Sequence, residues 1–229
     1  MKVIEYPRPG YDTIQKDIEN GFHTLIGKKS EDIRAIVIVG ACRGEEIPRL
    51  LNRYPKSTIT AFECYPEYYN SLVKSFGNEP RVLLYNEAIQ DKDQDVEFHQ
   101  IDGIGCGSIL KFDGSQGGKT LPYKIVETIT VRGYKLSSKI NPDEIDLLWI
   151  DVQGAEMKVL EGADLSKVNS IFCEVHTRPS SGDPGPYKGQ CYLDQLEEYL
   201  KPTHSLHSIG LDGWDTKVYE QGNSFWVKL

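Results

Sequence analysis

A glycine-rich turn and a carboxylate follow two apolar segments of the chain at a spacing that suits a nucleoside-containing ligand. Gly40 and Gly44 bound the turn G-A-C-R-G, which comes directly after the apolar run A-I-V-I-V. Glycine lets the backbone turn sharply and brings main-chain N–H groups within reach of a ligand, and a helix that starts behind such a turn favours polar or anionic groups. Glu63 ends the next apolar segment, about twenty residues further on, where a carboxylate can accept hydrogen bonds from ribose hydroxyls. Taken singly, the glycines could form only a tight turn and Glu63 could lie on the surface; together they predict a nucleoside-containing cofactor.

A second set of polar residues follows two later apolar segments. Asp151 ends the run I-D-L-L-W-I, where its carboxylate could act as a general base, hold a cation or cap the following helix. Glu174 and His176 stand two positions apart in a strand-like segment, so their side chains share one face. A histidine beside a carboxylate suits acid–base chemistry near neutral pH, although a lone histidine is also a common structural residue. These three residues are therefore the candidates for catalysis.

The candidate residues must be positioned by the elements that precede them, and the hydrophobic pattern predicts strands that alternate with helices. Short runs rich in Val, Ile and Leu are typical of parallel strands buried on both faces, and their alternation with helices predicts βαβ units. Such sheets bind ligands at the carboxyl ends of their strands, where the residues above fall. The predicted strands are 35–39, 57–62, 81–85, 95–101, 124–131, 145–150, 168–175, 204–209 and 224–228. The predicted helices lie within 11–27 and over 45–54, 67–76, 155–161 and 192–200.

The composition is that of a globular protein and argues against several function classes. The net charge of −8 disfavours a nucleic-acid partner, because binding to phosphates is driven by basic surfaces. No apolar stretch approaches the roughly 20 residues of a membrane-spanning helix, and residues 1–10 lack an apolar leader, so we expect a cytoplasmic protein without a membrane partner. The five cysteines form no C-x-x-C pair, which argues against a disulfide framework and a structural zinc site. We predict one domain over 1–229, with a lead-in helix in 1–33 and the core in 34–229.

Several segments resemble, in order and spacing, the FkbM family of S-adenosylmethionine-dependent methyltransferases. The resemblance runs from about Ile36 to the C-terminus, and its most specific part is I-D-V-Q-G-A-E followed by V-L-E-G-A. It implies the class I methyltransferase fold, an α/β Rossmann-like fold with a mostly parallel seven-stranded sheet, helices on both faces and an antiparallel last strand. The segments are V-G-A-C-R-G, A-F-E-C-Y-P, N-E-A-I-Q-D, C-G-S-I-L, L-L-W-I-D-V-Q-G-A-E-M-K-V-L-E-G-A and F-C-E-V-H.

The resemblance also implies where S-adenosyl-L-methionine would bind. Its methionine and ribose portion would lie along the glycine-rich turn, its ribose hydroxyls at Glu63, its adenine beside Glu87 and Ala88, and its methyl group before Asp151. The cofactor-binding residues implied in this way are Gly40, Ala41, Gly44, Glu63, Cys64, Glu87, Ala88, Ser108 and Asp151.

The chain departs from the family pattern at three positions. The family usually has Asp where this chain has Ile38, Asn where it has Cys42, and Glu where it has Gln153. The change at Ile38 removes one polar contact to the cofactor, and the change at Gln153 weakens an interpretation that would use that side chain on a metal. A binding domain that keeps the fold without catalysis is therefore one alternative.

Since FkbM-like enzymes methylate hydroxyls of sugars and natural products, the resemblance implies O-methylation of a sugar, a glycan or a small natural product. A hydroxyl acceptor must lose its proton, so we expect Asp151 or His176 as the base, with Glu174 orienting His176. The alternative is a divalent cation held by Asp151, Glu174 and His176 that lowers the pKa of the acceptor. A nicotinamide-dependent oxidoreductase is disfavoured, because the third glycine of its fingerprint and a Tyr-x-x-x-Lys pair are both missing from the chain.

Overall fold

The predicted alternation of strands and helices is present in the computed structural model, which describes residues 11–116, 119–178, 185–215 and 219–229. The helices are α1 (Tyr11–Leu25), α2 (Ile47–Arg53), α3 (Pro66–Phe76), α4 (Leu136–Lys139), α5 (Glu156–Glu161) and α6 (Leu193–Leu200). The strands are β1 (Ala35–Val39), β2 (Thr58–Phe62), β3 (Val82–Tyr85), β4 (Ala88–Ile89), β5 (Asp95–Ile101), β6 (Ser115–Gln116), β7 (Lys119–Thr120), β8 (Ile125–Tyr134), β9 (Leu147–Ile150), β10 (Ser170–His176), β11 (His204–Asp215) and β12 (Tyr219–Lys228).

A seven-stranded sheet forms the centre of the fold, in the order β11-β12-β10-β9-β1-β2-β3. β12 runs antiparallel to both of its neighbours, and the other neighbouring strands are parallel. The predicted mostly parallel sheet with an antiparallel last strand is therefore confirmed. The chain continues from β1 to β2 on one side and later returns to β9 on the other, so the strand order reverses at β1, where such sheets open a ligand crevice.

Helices cover both faces of this sheet, as predicted. On one face α1, α2 and α3 bury Ile18, Phe22, Leu50 and Leu72 against the strands. On the other face α4, α5 and α6 pack in a second core. Because both faces of the central strands are buried, their sequences are continuous apolar runs rather than alternating ones.

The middle of the chain forms a separate three-stranded sheet in the order β4-β8-β5, in which β8 is antiparallel to β5 and parallel to β4. The segment after β5 returns to the central sheet. There the Ser108 hydroxyl donates to the Val152 carbonyl at 3.3 Å, and a Cβ on Gly105 would lie 3.7 Å from the Cys42 sulfur. This segment therefore forms a wall over the carboxyl ends of β1 and β9.

Several bounds differ from the sequence-based expectation. β12 begins at Tyr219 rather than at 224, and β11 continues to Asp215 rather than ending at 209. The extended part of this hairpin is polar and glycine-containing, so it lacks the apolar pattern from which strands are predicted. No helix within the described ranges combines the length and the apolar character needed to cross a membrane.

Candidate active site

The glycine-rich turn brings β1 against β9 so closely that only glycine fits at its first position. Gly40 has a φ of +84°, and a Cβ there would lie 1.8 Å from the carbonyl oxygen of Asp151. Gly44 has a φ of +69°, and a Cβ there would lie 2.7 Å from Leu72 and 2.8 Å from Ile47. Both glycines take a left-handed backbone, in keeping with the predicted sharp turn, and Gly40 also allows the close approach between the ends of β1 and β9.

Glu63 lies directly beside this turn. Its carboxylate accepts hydrogen bonds from the main-chain N–H groups of Cys42 at 2.8 Å and Tyr65 at 2.7 Å. Burial raises the pKa of Glu63 to about 7, and these hydrogen bonds partly offset that increase. The carboxyl group is thus held in one orientation at the end of β2.

A first cavity lies beside Glu63, at the carboxyl ends of β1 and β2. Most of the residues that the resemblance assigned to the cofactor line it: Gly40, Glu63, Cys64, Glu87, Ala88, Ser108 and Asp151. The other two, Ala41 and Gly44, line a second cavity on the far side of the turn. The fold therefore brings all nine residues to one crevice, although they are spread over more than a hundred positions of the chain.

Glu87 lies at the end of the first cavity remote from Asp151. Its Oε1 accepts from Lys139 Nζ at 2.6 Å, and that ammonium lies 4.9 Å from the ring centroid of Tyr85 and 4.8 Å from that of Tyr134. The hydrogen bond to Glu87 raises the pKa of Lys139, which favours the charged ammonium form. Glu87 Oε2 is buried and has no hydrogen-bond partner among the described residues. One acceptor therefore remains for a ligand.

The second cavity meets the first at the turn, since Gly40, Cys42, Gly105 and Asp151 line both. Its inner end is polar, with side chains from the ends of β9, β10 and β12 and from the start of α2. These side chains are Glu46, Asp151, Gln153, Glu174, Gln221 and Asn223.

Asp151 and Glu174 are joined by amide groups at this inner end. The Gln153 amide donates to Asp151 Oδ1 at 2.7 Å and to Glu174 Oε2 at 2.9 Å. The Gln221 amide donates to Glu174 Oε1 at 2.5 Å, and the Tyr187 hydroxyl donates to Gln153 Oε1 at 3.3 Å. Burial raises the pKa of both acids, and the neighbouring Asp151 raises that of Glu174 further. Two carboxylates held side by side repel each other, which favours the protonated form of the pair.

His176 lies behind Glu174 rather than at the cavity. Its Nε2 is 3.8 Å from Glu174 Oε2, its side chain is 1% exposed, and it is not among the residues that line either cavity. Burial lowers the pKa of His176 to about 3, so the ring is neutral at physiological pH. Glu174 and His176 are neighbours, as their spacing predicts. Of the two, only Glu174 lines a cavity, so His176 does not lie where the predicted base would meet an acceptor. Among the described residues, no group of three or more His, Cys, Asp or Glu side chains is arranged to hold a metal ion.

Glu156 was not among the residues predicted from the sequence, and it supports the turn that carries Gln153. Its carboxylate accepts from the N–H groups of Val152 at 3.3 Å and Gly154 at 2.9 Å. It thereby holds a turn in which Gln153 has a φ of +54° and Gly154 a φ of +92°. The signal was present in the sequence, since Glu156 ends the segment I-D-V-Q-G-A-E. Gln221 and Asn223 were also missed, because they precede the predicted last strand.

The fold is that of a class I methyltransferase. Its features are the strand order of the mostly parallel sheet, the glycine-rich turn after β1, and the acids that follow β2 and β9. The sequence model described as the methyltransferase FkbM domain matches residues 39–204. The chain belongs to this FkbM methyltransferase family and is an S-adenosylmethionine-dependent methyltransferase. The family membership argues against the alternative of a nicotinamide-dependent oxidoreductase.

The chain is similar to known methyltransferases in sequence and in fold. The 2-O-methyltransferase NoeI of Sinorhizobium fredii is 28% identical over 176 residues, which cover 72% of this chain and 70% of that protein. The O-methyltransferase domain of StiE superposes with a TM-score of 0.53 at 7% identity, covering 93% of this chain and 73% of that one. An rRNA methylase from Streptococcus thermophilus superposes with a TM-score of 0.51 at 8% identity, covering 96% and 98%. At these identities the structural likenesses show the fold alone.

Proposed function

We propose that the chain transfers the methyl group of S-adenosylmethionine to a hydroxyl of a sugar or another small polyhydroxylated molecule. The observation that carries this proposal is the junction of the two cavities at Gly40 and Asp151. A nucleoside held in the first cavity faces, across that junction, a polar cavity that contains a buried carboxyl pair. The similarity to a 2-O-methyltransferase supports oxygen as the accepting atom.

The residues of the first cavity fit the cofactor. Glu63 is fixed by two main-chain N–H groups at the position where its oxygens can accept from ribose hydroxyls. The free Glu87 Oε2 can accept from the amino group of adenine, and Phe62 and Ile89 supply apolar walls for the base. When bound, the cofactor supplies a methyl group on a positively charged sulfur, which a nucleophile displaces in line.

The chain's own contribution to the reaction is to orient the acceptor and remove its proton. Methyl transfer needs the accepting oxygen in near-attack geometry, and this oxygen becomes a stronger nucleophile as it loses its proton. Asp151 lies at the junction of the cavities and receives that proton, and burial raises its pKa, which favours the protonated form. Gln153 and Gln221 hold both carboxyl groups in place, and His176 packs behind Glu174.

The inner end of the second cavity suits a polyhydroxylated acceptor. Asn223 is 2% exposed, and its Nδ2 is buried without a hydrogen-bond partner in the described part of the chain. A buried donor of this kind favours a ligand that brings an acceptor to it. Carboxyl and carboxamide groups together match the paired donor and acceptor character of neighbouring sugar hydroxyls.

An acceptor screen with cofactor that carries a ¹³C-labelled methyl group tests this proposal. We expect labelled O-methyl products from glycosides, identified by the carbon chemical shift, and none from amines or from RNA oligonucleotides. Asp151→Asn should slow product formation by about a hundredfold or more, whereas Asp143→Asn, a change at an exposed carboxylate outside both cavities, should leave it intact. Transfer to nitrogen or to RNA, with none to glycosides, would overturn the proposed acceptor class.

A further inference from the structure

Glu46 is a buried acid to which the proposed reaction gives no role. It precedes α2, lies two residues beyond Gly44 and lines the second cavity. Its side chain is 9% exposed, and its Oε1 is buried without a hydrogen-bond partner among the described residues. A buried carboxyl oxygen without a donor costs free energy, so this atom is expected to gain a donor when the cavity is filled.

The charges around Glu46 favour a cationic group as that donor. Arg49 of α2 is bound through its Nε and Nη2 to the carboxylate of Glu19 of α1. Asp151 at the end of β9 and Glu174 on β10 line the same cavity, so three acids face its interior. The remaining charged groups along the lining are Lys16 of α1, and Arg43 and Glu45 of the turn that leads into α2.

The position of Glu46 relative to Glu63 indicates which cationic group would reach it. The turn between Gly40 and Gly44 separates the two acids, and Cys42 of that turn donates its N–H to Glu63. A cofactor whose ribose lies at Glu63 must extend across Gly40 to reach Asp151, which brings its amino-acid end into the cavity that Glu46 lines. Ile38 of β1 is fully buried in the apolar core and offers no contact to an ammonium.

We propose that Glu46 binds the α-ammonium group of the amino-acid end of S-adenosylmethionine. This inference rests on the proposed function, since it requires the cofactor in the crevice. It makes Glu46 a cofactor-binding residue contributed by the start of α2 rather than by the end of β1.

Calorimetry with two ligands tests the inference separately from the function. The ligands are S-adenosylhomocysteine and its analogue without the α-amino group. We expect Glu46→Gln to weaken binding of S-adenosylhomocysteine roughly tenfold to a hundredfold, the usual range for a charge-assisted hydrogen bond. Binding of the desamino analogue should be the same in both proteins. Glu67→Gln, at an exposed carboxylate outside both cavities, is the matched control.

Proton release provides a second readout that needs no variant. Burial raises the pKa of Glu46 to about 8, with a further contribution from Asp151, so its carboxyl is mostly protonated at pH 7 before binding. An ammonium at Glu46 lowers that pKa, and up to about one proton is released, measured as the dependence of the binding heat on buffer ionisation. Glu63 would contact the same ribose in both ligands. Its contribution to proton release therefore cancels when S-adenosylhomocysteine is compared with the desamino analogue.

The outcomes separate the two proposals. If the wild-type protein does not bind S-adenosylhomocysteine, the proposed function fails and this inference fails with it. If the wild type binds and Glu46→Gln binds equally well, or loses both ligands equally, the function stands and Glu46 does not bind the ammonium. Equal proton release with both ligands would overturn the inference even if Glu46→Gln did not fold.

Discussion

The carboxyl groups of Asp151 and Glu174 accept hydrogen bonds from the same amide, that of Gln153, at 2.7 and 2.9 Å. Gln153→Glu replaces this shared donor with a third acid and raises the pKa of the pair. We expect the rising limb of the kcat pH profile to move up by about one unit or more, and kcat at pH 7 to fall at least about tenfold. Gln94→Glu, an exposed change outside both cavities, serves as the control. An unchanged pH profile in Gln153→Glu would show that the pair does not act as the base.

Asp151 and His176 should differ in their effects on turnover. Asp151→Asn removes the group at the junction of the cavities, and we expect kcat to fall about a hundredfold or more, the usual contribution of a general base. His176→Ala acts through Glu174, so its effect on kcat should be smaller. Both variants should retain affinity for S-adenosylhomocysteine in calorimetry. Loss of cofactor binding in both would mean that these residues form a binding site rather than a catalytic one.

Glu63 should make the free protein less stable as the pH rises. Its pKa is raised from 4.5 to about 7 by burial, so its neutral form is favoured in the folded state. Its contribution to stability is therefore fully present below pH 4.5 and is lost as the pH rises through about 7. The shift corresponds to about 3 kcal/mol of unfolding free energy.

Denaturant unfolding of Glu63→Gln and wild type from pH 5 to pH 8 measures this effect. The unfolding free energy of the variant should rise relative to that of the wild type across this range, because the amide cannot ionise. A difference that stays constant with pH would contradict the assigned burial. Saturating S-adenosylhomocysteine is left out, since a bound ribose changes the environment of the carboxyl group.

Glu87 should select adenine over hypoxanthine. Its free Oε2 can accept from the amino group of adenine but repels the carbonyl oxygen of hypoxanthine. We expect the wild type to bind S-adenosylhomocysteine at least about tenfold more tightly than S-inosylhomocysteine, and Glu87→Gln to narrow this ratio. Calorimetry with both ligands provides the two ratios. If Glu87→Gln leaves the ratio of the two affinities unchanged, the adenine lies elsewhere in the cavity.

The grouping of Gly40, Glu63 and Asp151 was predictable from sequence because each follows an apolar strand of a parallel sheet. The ends of β1, β2 and β9, which these three residues follow, can be read from the local hydrophobic pattern. The carboxyl ends of parallel strands share one edge, so three residues far apart in the chain could be assigned to one crevice.

The surroundings of the carboxyl pair could not be predicted in this way. Gln221 reaches Glu174 because β12 lies antiparallel beside β10, and this pairing depends on long-range packing rather than on local pattern. Glu46 has the sequence context of an exposed residue at a helix start, yet the fold buries it at 9% exposure. Only the assembled structure shows that these side chains line one cavity with Asp151.

Calorimetric titration of the purified protein with S-adenosylhomocysteine, beside NADH as a control, tests most directly that the joined cavities form a methyltransferase site. We expect binding in the micromolar range for S-adenosylhomocysteine and none for NADH. Glu63→Gln should weaken binding of S-adenosylhomocysteine, because the ribose hydroxyls lose a charged acceptor. If S-adenosylhomocysteine does not bind to the wild-type protein, the joined cavities are not a methyltransferase site.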